Sequence, residues 1–277
     1  MSNAYSMKLH RRLVWRIAAV PLIAAVAMLG LLHASAMAAD DEPAATPYRP
    51  SVAGGAYMSR PGWLELEFGA QRLGGRSAQR RDSVPYLMKL ALSENWGLLL
   101  GGDAQVRLPP ESGARLSGVG DTTFTLKHRL PWGAEGTAFG VEAGVKLPTA
   151  KTGLGSGERD YSLKGIYSVD LDSGLHLDAN LGGTRIGGVG AGAGLGRTQA
   201  GWAAAVSHPA GEAWSLVADL SGTRQRGVES TAQLLGAASY SVSKRFVIDA
   251  GTVFGLNSAT PKWAVFTGLT VLLGELF

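Results

Sequence analysis

Thr137–Leu147 reads TAFGVEAGVKL. Phe139, Val141, Ala143, Val145 and Leu147 alternate with Gly140, Glu142, Gly144 and Lys146. A β-strand turns successive side chains to opposite faces, so this stretch reads as a strand with one apolar and one polar face. The alternation repeats outward in both directions. In Gly120–Leu130, Thr122, Phe124, Leu126 and Leu130 alternate with Asp121, Thr123, Thr125, Lys127 and Arg129. In Leu175–Arg185, Leu175, Leu177, Ala179 and Leu181 alternate with His176, Asp178 and Asn180. Twelve such segments are predicted, at 63–71, 83–93, 96–108, 120–130, 137–147, 161–171, 175–185, 198–208, 214–225, 230–242, 246–256 and 263–277. The chain is all-β beyond its leader, and helical periodicity is missing.

Alternating strands suit a soluble barrel with an apolar interior, or a membrane barrel that is apolar outside. Three features favour the membrane. The strands run about 9 to 13 residues, near the 9–11 that a tilted strand needs to cross a bilayer. Their number is even, as in bacterial single-chain barrels. Connections alternate short (93–95, 131–136, 172–174) and long (72–82, 109–119, 148–160, 186–197), as short periplasmic turns and long outer loops do. Trp96, Trp132, Trp214, Tyr240, Phe246 and Phe277 fall near one edge, and Tyr161, Phe254 and Trp263 near the other. Rings at both interfaces place an apolar body in lipid and a polar tip in water. The expectation is one transmembrane antiparallel up-and-down β-barrel of about 12 strands in a bacterial outer membrane. Phe277 resembles the terminal aromatic signal of such barrels, which implies the barrel-assembly machinery as a partner.

The first 39 residues differ in kind. Lys8, Arg11, Arg12 and Arg16 precede an apolar run, Ile17–Leu32, and then the small residues Ala34-Ser35-Ala36-Met37-Ala38-Ala39. This is the pattern of a secretory signal peptide, cleaved after Ala38. As an anchor the run is short of the ~20 residues that a helical span requires, and Pro21 interrupts it. Without the four leader cations, 22 basic residues stand against 22 acidic ones. The formal charge of +4 therefore belongs to the leader, and no nucleic-acid partner is expected. The chain has no Cys, which excludes a disulfide scaffold and thiolate metal sites. Residues 39–61 open acidic and carry Pro43, Pro47, Pro50 and Pro61, and read as a periplasmic tail or linker. Residues 62–277 are the barrel.

Three stretches carry a resemblance. Gly118–Leu130 reads GVGDTTFTLKHRL, Gly140–Leu171 reads GVEAGVKLPTAKTGLGSGERDYSLKGIYSVDL, and Leu175–Thr184 reads LHLDANLGGT. The matching features are Gly120-Asp121, Lys127 with Arg129-Leu130, Lys146-Leu147-Pro148-Thr149, Gly155-Ser156-Gly157 with Asp160-Tyr161, and Asn180-Leu181-Gly182. The chain resembles the "putative MetA-pathway of phenol degradation" family, most strongly over 118–184. Ala150 stands where that family often has Gly. The resemblance implies an outer-membrane barrel associated with transport of phenolic or other small hydrophobic compounds.

Few residues invite chemistry. Ser168, His176 and Asp178 could form a Ser–His–Asp set, but a triad is defined by geometry, and polar lumen residues are the simpler reading. Gly187–Gly194 contains a GxGxxA pattern, yet a strand-like segment follows it where a nucleotide site needs a helix; an outer loop is expected. Arg72, Arg76, Arg80 and Arg81 form a basic outer-loop patch suited to lipopolysaccharide phosphates. Parity turns Glu65, Lys89, Asp103, Arg107, Asp121, Lys127, Arg129, Glu142, Lys146, Lys164, Asp178, Asp219 and Asp249 into the lumen. Their signs are mixed, so no single-sign selectivity ring is present. The expected function is passive passage of a small solute, phenolic or hydrophobic, with no cofactor, metal or covalent step. The alternative is a structural or adhesive barrel with a closed lumen and functional outer loops.

Overall fold

The computed structural model describes residues 42–75, 80–109, 115–172, 174–188 and 194–277. The leader, Arg76 and most of the Gly187–Gly194 run lie outside the described residues. Pro43–Phe277 form one compact unit.

Thirteen strands follow in chain order: β1 (Trp63–Gly74), β2 (Arg81–Ala91), β3 (Trp96–Leu108), β4 (Leu116–Gly118), β5 (Thr122–Leu130), β6 (Thr137–Leu147), β7 (Asp160–Asp170), β8 (His176–Arg185), β9 (Thr198–Pro209), β10 (Trp214–Gln225), β11 (Val228–Ser243), β12 (Phe246–Gly255) and β13 (Trp263–Glu275). All pairings between them are antiparallel. β1 pairs with both β2 and β13, so the sheet closes on itself. Twelve long strands make the barrel. β4 is a three-residue piece that extends the ladder of β3 above the shorter β5. The twelve expected segments correspond to the twelve long strands, with ends shifted by a few residues.

Polarity is inverted relative to a soluble protein. Leu163 and Leu181 stand 60% and 70% exposed on the outer face, while Lys127 and Glu65 are fully buried inside. Exposed apolar rows and buried charges are the arrangement that lipid outside and a polar lumen inside demand. Aromatic pairs occupy the end with the short turns. Trp96 stacks on His128 at 4.0 Å, Trp214 meets Tyr240 at 4.9 Å, and Phe139 meets Tyr167 at 5.1 Å. That end also carries both edges of the barrel's sequence, Trp63 and Glu275, and is periplasmic by the loop-length rule.

Register corrects one lumen assignment. Asp82 pairs with Arg107 but Pro85 pairs with Asp103, so β3 holds one extra residue at a bulge. An inserted residue moves everything beyond it to the other face. Asp103 stays inside, whereas Arg107 shares the outer face with Asp82 and Arg72. The other twelve lumen candidates lie on inward-facing positions.

Candidate functional site

Residues 43–61 form no strand or helix, and they do not hang free. The amide of Ala45 donates to the carbonyl of Lys244, in the β11–β12 turn, at 2.8 Å. From there the segment follows the inner wall. Thr46 and Tyr48 donate their amides to Glu65 and Glu67 of β1, at 2.8 and 2.7 Å. Arg49 makes a bidentate ion pair with Asp249 of β12, at 3.0 and 2.9 Å. The amides of Val52 and Ala53 share Asp219 Oδ2 of β10, at 3.0 and 2.8 Å. Gly54 exchanges two hydrogen bonds of 2.8 Å with Asn180 of β8. Ala56 donates to Ser168 Oγ of β7 at 2.8 Å. The Arg129 guanidinium of β5 lies over the Tyr57 ring, and Pro61 bridges to Ala91 of β2.

The contacts therefore visit β1, β12, β10, β8, β7, β5 and β2 in turn, one circuit of the barrel. We call this segment the collar. Residues 39–61 were expected to form a periplasmic tail or linker; the described part of that segment lies against the inner wall from Ala45 to Pro61. Pro- and Gly-rich backbone cannot satisfy its own amides, so inward carboxylates and amides of the wall do so.

Two lysines brace the collar. Lys89 pairs with Glu65 and Glu67 and donates to the carbonyl of Thr46 at 2.6 Å. Lys127 donates to the Gly55 carbonyl and to the Tyr48 hydroxyl. The two ammonium groups sit 3.9 and 4.0 Å from the centre of the Tyr48 ring, each within cation–π range. Burial, followed by the charge of Glu142, pushes the Tyr48 phenol well above its ordinary pKa. It keeps its proton and donates it to the Tyr57 carbonyl at 2.9 Å.

The outer half of the lumen is divided. Toward β2–β7, Arg81 pairs with Asp103 at 2.5 Å, and Lys146 bridges Asp121 and Asp160 at 3.3 and 2.7 Å. Lys164 holds Glu142 at 2.7 Å. The β6–β7 loop folds onto this side, since the Ala150 amide donates to Asp121 at 3.1 Å. The opposite wall carries two apolar clusters beside the inward Asp219, Ser221 and Asp249. Leu235, Val253 and Ala264 pack with Leu73, Phe266, Ala237 and Val217. Val217 in turn joins Ala203, Ala205 and Ala53 of the collar. Joined at Val217, the two clusters make an apolar strip from the outer part of the lumen to the collar. Sequence parity did not find it, because those inward positions were expected to be polar.

No catalytic triad assembles. The Ser168 hydroxyl donates to Asp178, not to His176. His176 faces Asp170 with one ring nitrogen, at 2.6 Å, and Asp178 with the other, at 3.2 Å. Neither nitrogen is free to take a proton from Ser168. The basic loop patch also divides. Arg72 pairs with Asp82 on the outer face, while Arg81 turns inward to Asp103.

Solved structures of similar architecture include an outer membrane channel and two porins. A COG4313 outer membrane channel from Pseudomonas putida F1 aligns with a TM-score of 0.59 at 13% identity, covering 86% of this chain and 100% of that one. The KdgM porin in complex with oligogalacturonate aligns at 0.54 and 7% identity, over 76% and 99% of the two chains. The NanC porin aligns at 0.54 and 6% identity, over 76% and 100%. No curated protein matches the chain. The closed barrel with its apolar outer band is an outer-membrane structure. A family profile matches residues 49–273, from inside the collar to the last strand, and by that match the chain belongs to the family described as "Putative MetA-pathway of phenol degradation".

Proposed function

We propose that this protein is an outer-membrane channel for a small, largely apolar solute, phenolic compounds among them, and that the collar narrows it at the periplasmic end. The observation that carries this reading is the apolar strip inside the barrel. A lumen serving only as a structural fill is expected to close with cross-strand ion pairs on all sides. Here one wall does so, and the other carries two apolar clusters that meet at Val217, from Leu73 and Ala264 down to Ala53. Passage needs no covalent step. A solute slides along the apolar strip while the charged wall keeps water in the lumen.

The second reading is a closed structural barrel, and the circuit of hydrogen bonds around the collar favours it. Solute flux through the refolded mature chain in liposomes separates the two. Wild type and a collar-weakened Arg49→Ala chain are compared with empty vesicles. The channel reading expects flux in wild type that rises in Arg49→Ala. Folded barrels that pass nothing, even with Arg49 removed, would establish the closed one.

A further inference from the structure

Register lines up Val265, Arg72, Asp82, Arg107 and Ser117 across β13, β1, β2, β3 and β4. This row lies on the outer face of the barrel, at the end with the long loops. Arg107 belongs to it because of the bulge in β3; in an unbroken ladder its side chain would point into the lumen. Bulges re-aim side chains and count as designed features. This one carries a guanidinium out of the lumen and onto the lipid side.

The row holds a surplus of positive charge. Arg72 grips Asp82 with Nε and Nη2, at 2.8 and 3.0 Å. The charges of Arg107, and of Arg115 just before β4, also act on that carboxylate. Three guanidinium groups thus face one acid. Among the described residues, neither Arg107 nor Arg115 makes an ion pair of its own. Depth is read from β13. Trp263 pairs with Gly74 and Val265 with Arg72, so the row stands one outward-facing position below the Trp263 ring. That is the outer aromatic girdle, where hydrocarbon gives way to headgroups. Below the row the wall turns apolar, with Ala70 and Phe68 on β1, Val84 and Tyr86 on β2, and Phe68 directly opposite Tyr86.

Charge and depth together define the partner. It lies in the outer leaflet, sets acyl chains against the apolar wall and brings an anion to the girdle. Guanidinium forks match the oxygens of a phosphate, and a phosphate monoester offers nearly two negative charges to a site with positive charge to spare. We propose that Arg72, Arg107 and Arg115 form a docking site for a phosphate of lipid A, the phosphorylated acyl-sugar anchor of lipopolysaccharide. Arg107 and Arg115 take the phosphate oxygens. Arg72, oriented by Asp82, closes the site from β1, and the acyl chains lie on Phe68, Val84 and Tyr86. The site is not the loop patch expected from the sequence. Arg81 is lost from that patch to Asp103 inside the lumen, and Arg107 and Arg115 are gained.

The refolded mature chain in detergent is titrated with bisphosphorylated lipid A, dephosphorylated lipid A and phosphatidylglycerol, and bound lipid is counted by native mass spectrometry. Bisphosphorylated lipid A is expected to bind most tightly and to resist displacement by excess inorganic phosphate. Arg107→Gln and Arg115→Gln each weaken it about tenfold, the scale of one charge-assisted contact. Neither arginine is buried, and heat-modifiable migration on gels verifies that both variants keep the closed barrel. Lys262→Gln removes a loop cation at the same end and leaves binding unchanged. Equal binding of dephosphorylated lipid A or phosphatidylglycerol, complete displacement by inorganic phosphate, full binding in Arg107→Gln, or no binding at all overturns the site.

Discussion

Arg49 is the residue that pins the collar. Its guanidinium makes two hydrogen bonds to one carboxylate, Asp249, which is 6% exposed. Such fork geometry suits Arg and not Lys. The wall makes room for it. A Cβ added at Gly268 would lie 2.5 Å from Arg49 Nε, and one at Gly69 would lie 2.9 Å from the guanidinium carbon. Arg49→Ala leaves a buried carboxylate without its partner, and breaking a buried pair from one side costs about 3–5 kcal/mol. The expected outcome is a barrel that still folds, with faster proteolysis inside residues 43–61. Gly268→Val attacks the same contact from the wall. It should release the collar as Arg49→Ala does, and the two changes together should add little, since they act on one contact. A double-mutant cycle on the proteolysis rate measures this.

At the scale of elements, the collar and the β6–β7 loop act from opposite ends. The loop is held over the charged wall by Asp121, which accepts from the Ala150 amide and pairs with Lys146. Asp121→Ala removes both contacts. We expect the loop to loosen by about 1–3 kcal/mol, the usual cost of unpairing such groups. Limited proteolysis within residues 148–159 should accelerate, with cleavage inside the collar unchanged. The strands around these elements were legible in the sequence because Phe139, Val141 and Val145 repeat with a local period of two. The bulge in β3 was not. Ala104 carries no turn residue, and only pairing against β2 shows that Arg107 points away from the lumen. The collar was invisible for a related reason. Tyr48, Arg49 and Gly54 have no periodicity, and their partners lie on strands up to 200 residues away.

At the scale of the molecule, the barrel is stabilised by lipid on its outside. Leu181 stands mid-strand on β8 with 70% of its surface exposed. Leu181→Arg at the bilayer midplane should cost roughly 2–4 kcal/mol. Unfolding of the barrel in bilayers, followed by denaturant titration, checks this. The same substitution in detergent should cost less, because a micelle deforms around the charge.

The sequence by itself determined the all-β class, the twelve strands and which way most side chains face. Each of these follows from local patterning, since alternation depends only on neighbouring residues. Tertiary structure decided what fills the barrel. Whether Glu65 lines an open path or binds a backbone amide depends on where Thr46 lies. The apolar strip on one inner wall depends on Phe266, Leu235 and Val253 meeting across three strands. These are outcomes of register and of chain threading, and a period of two carries no information about either.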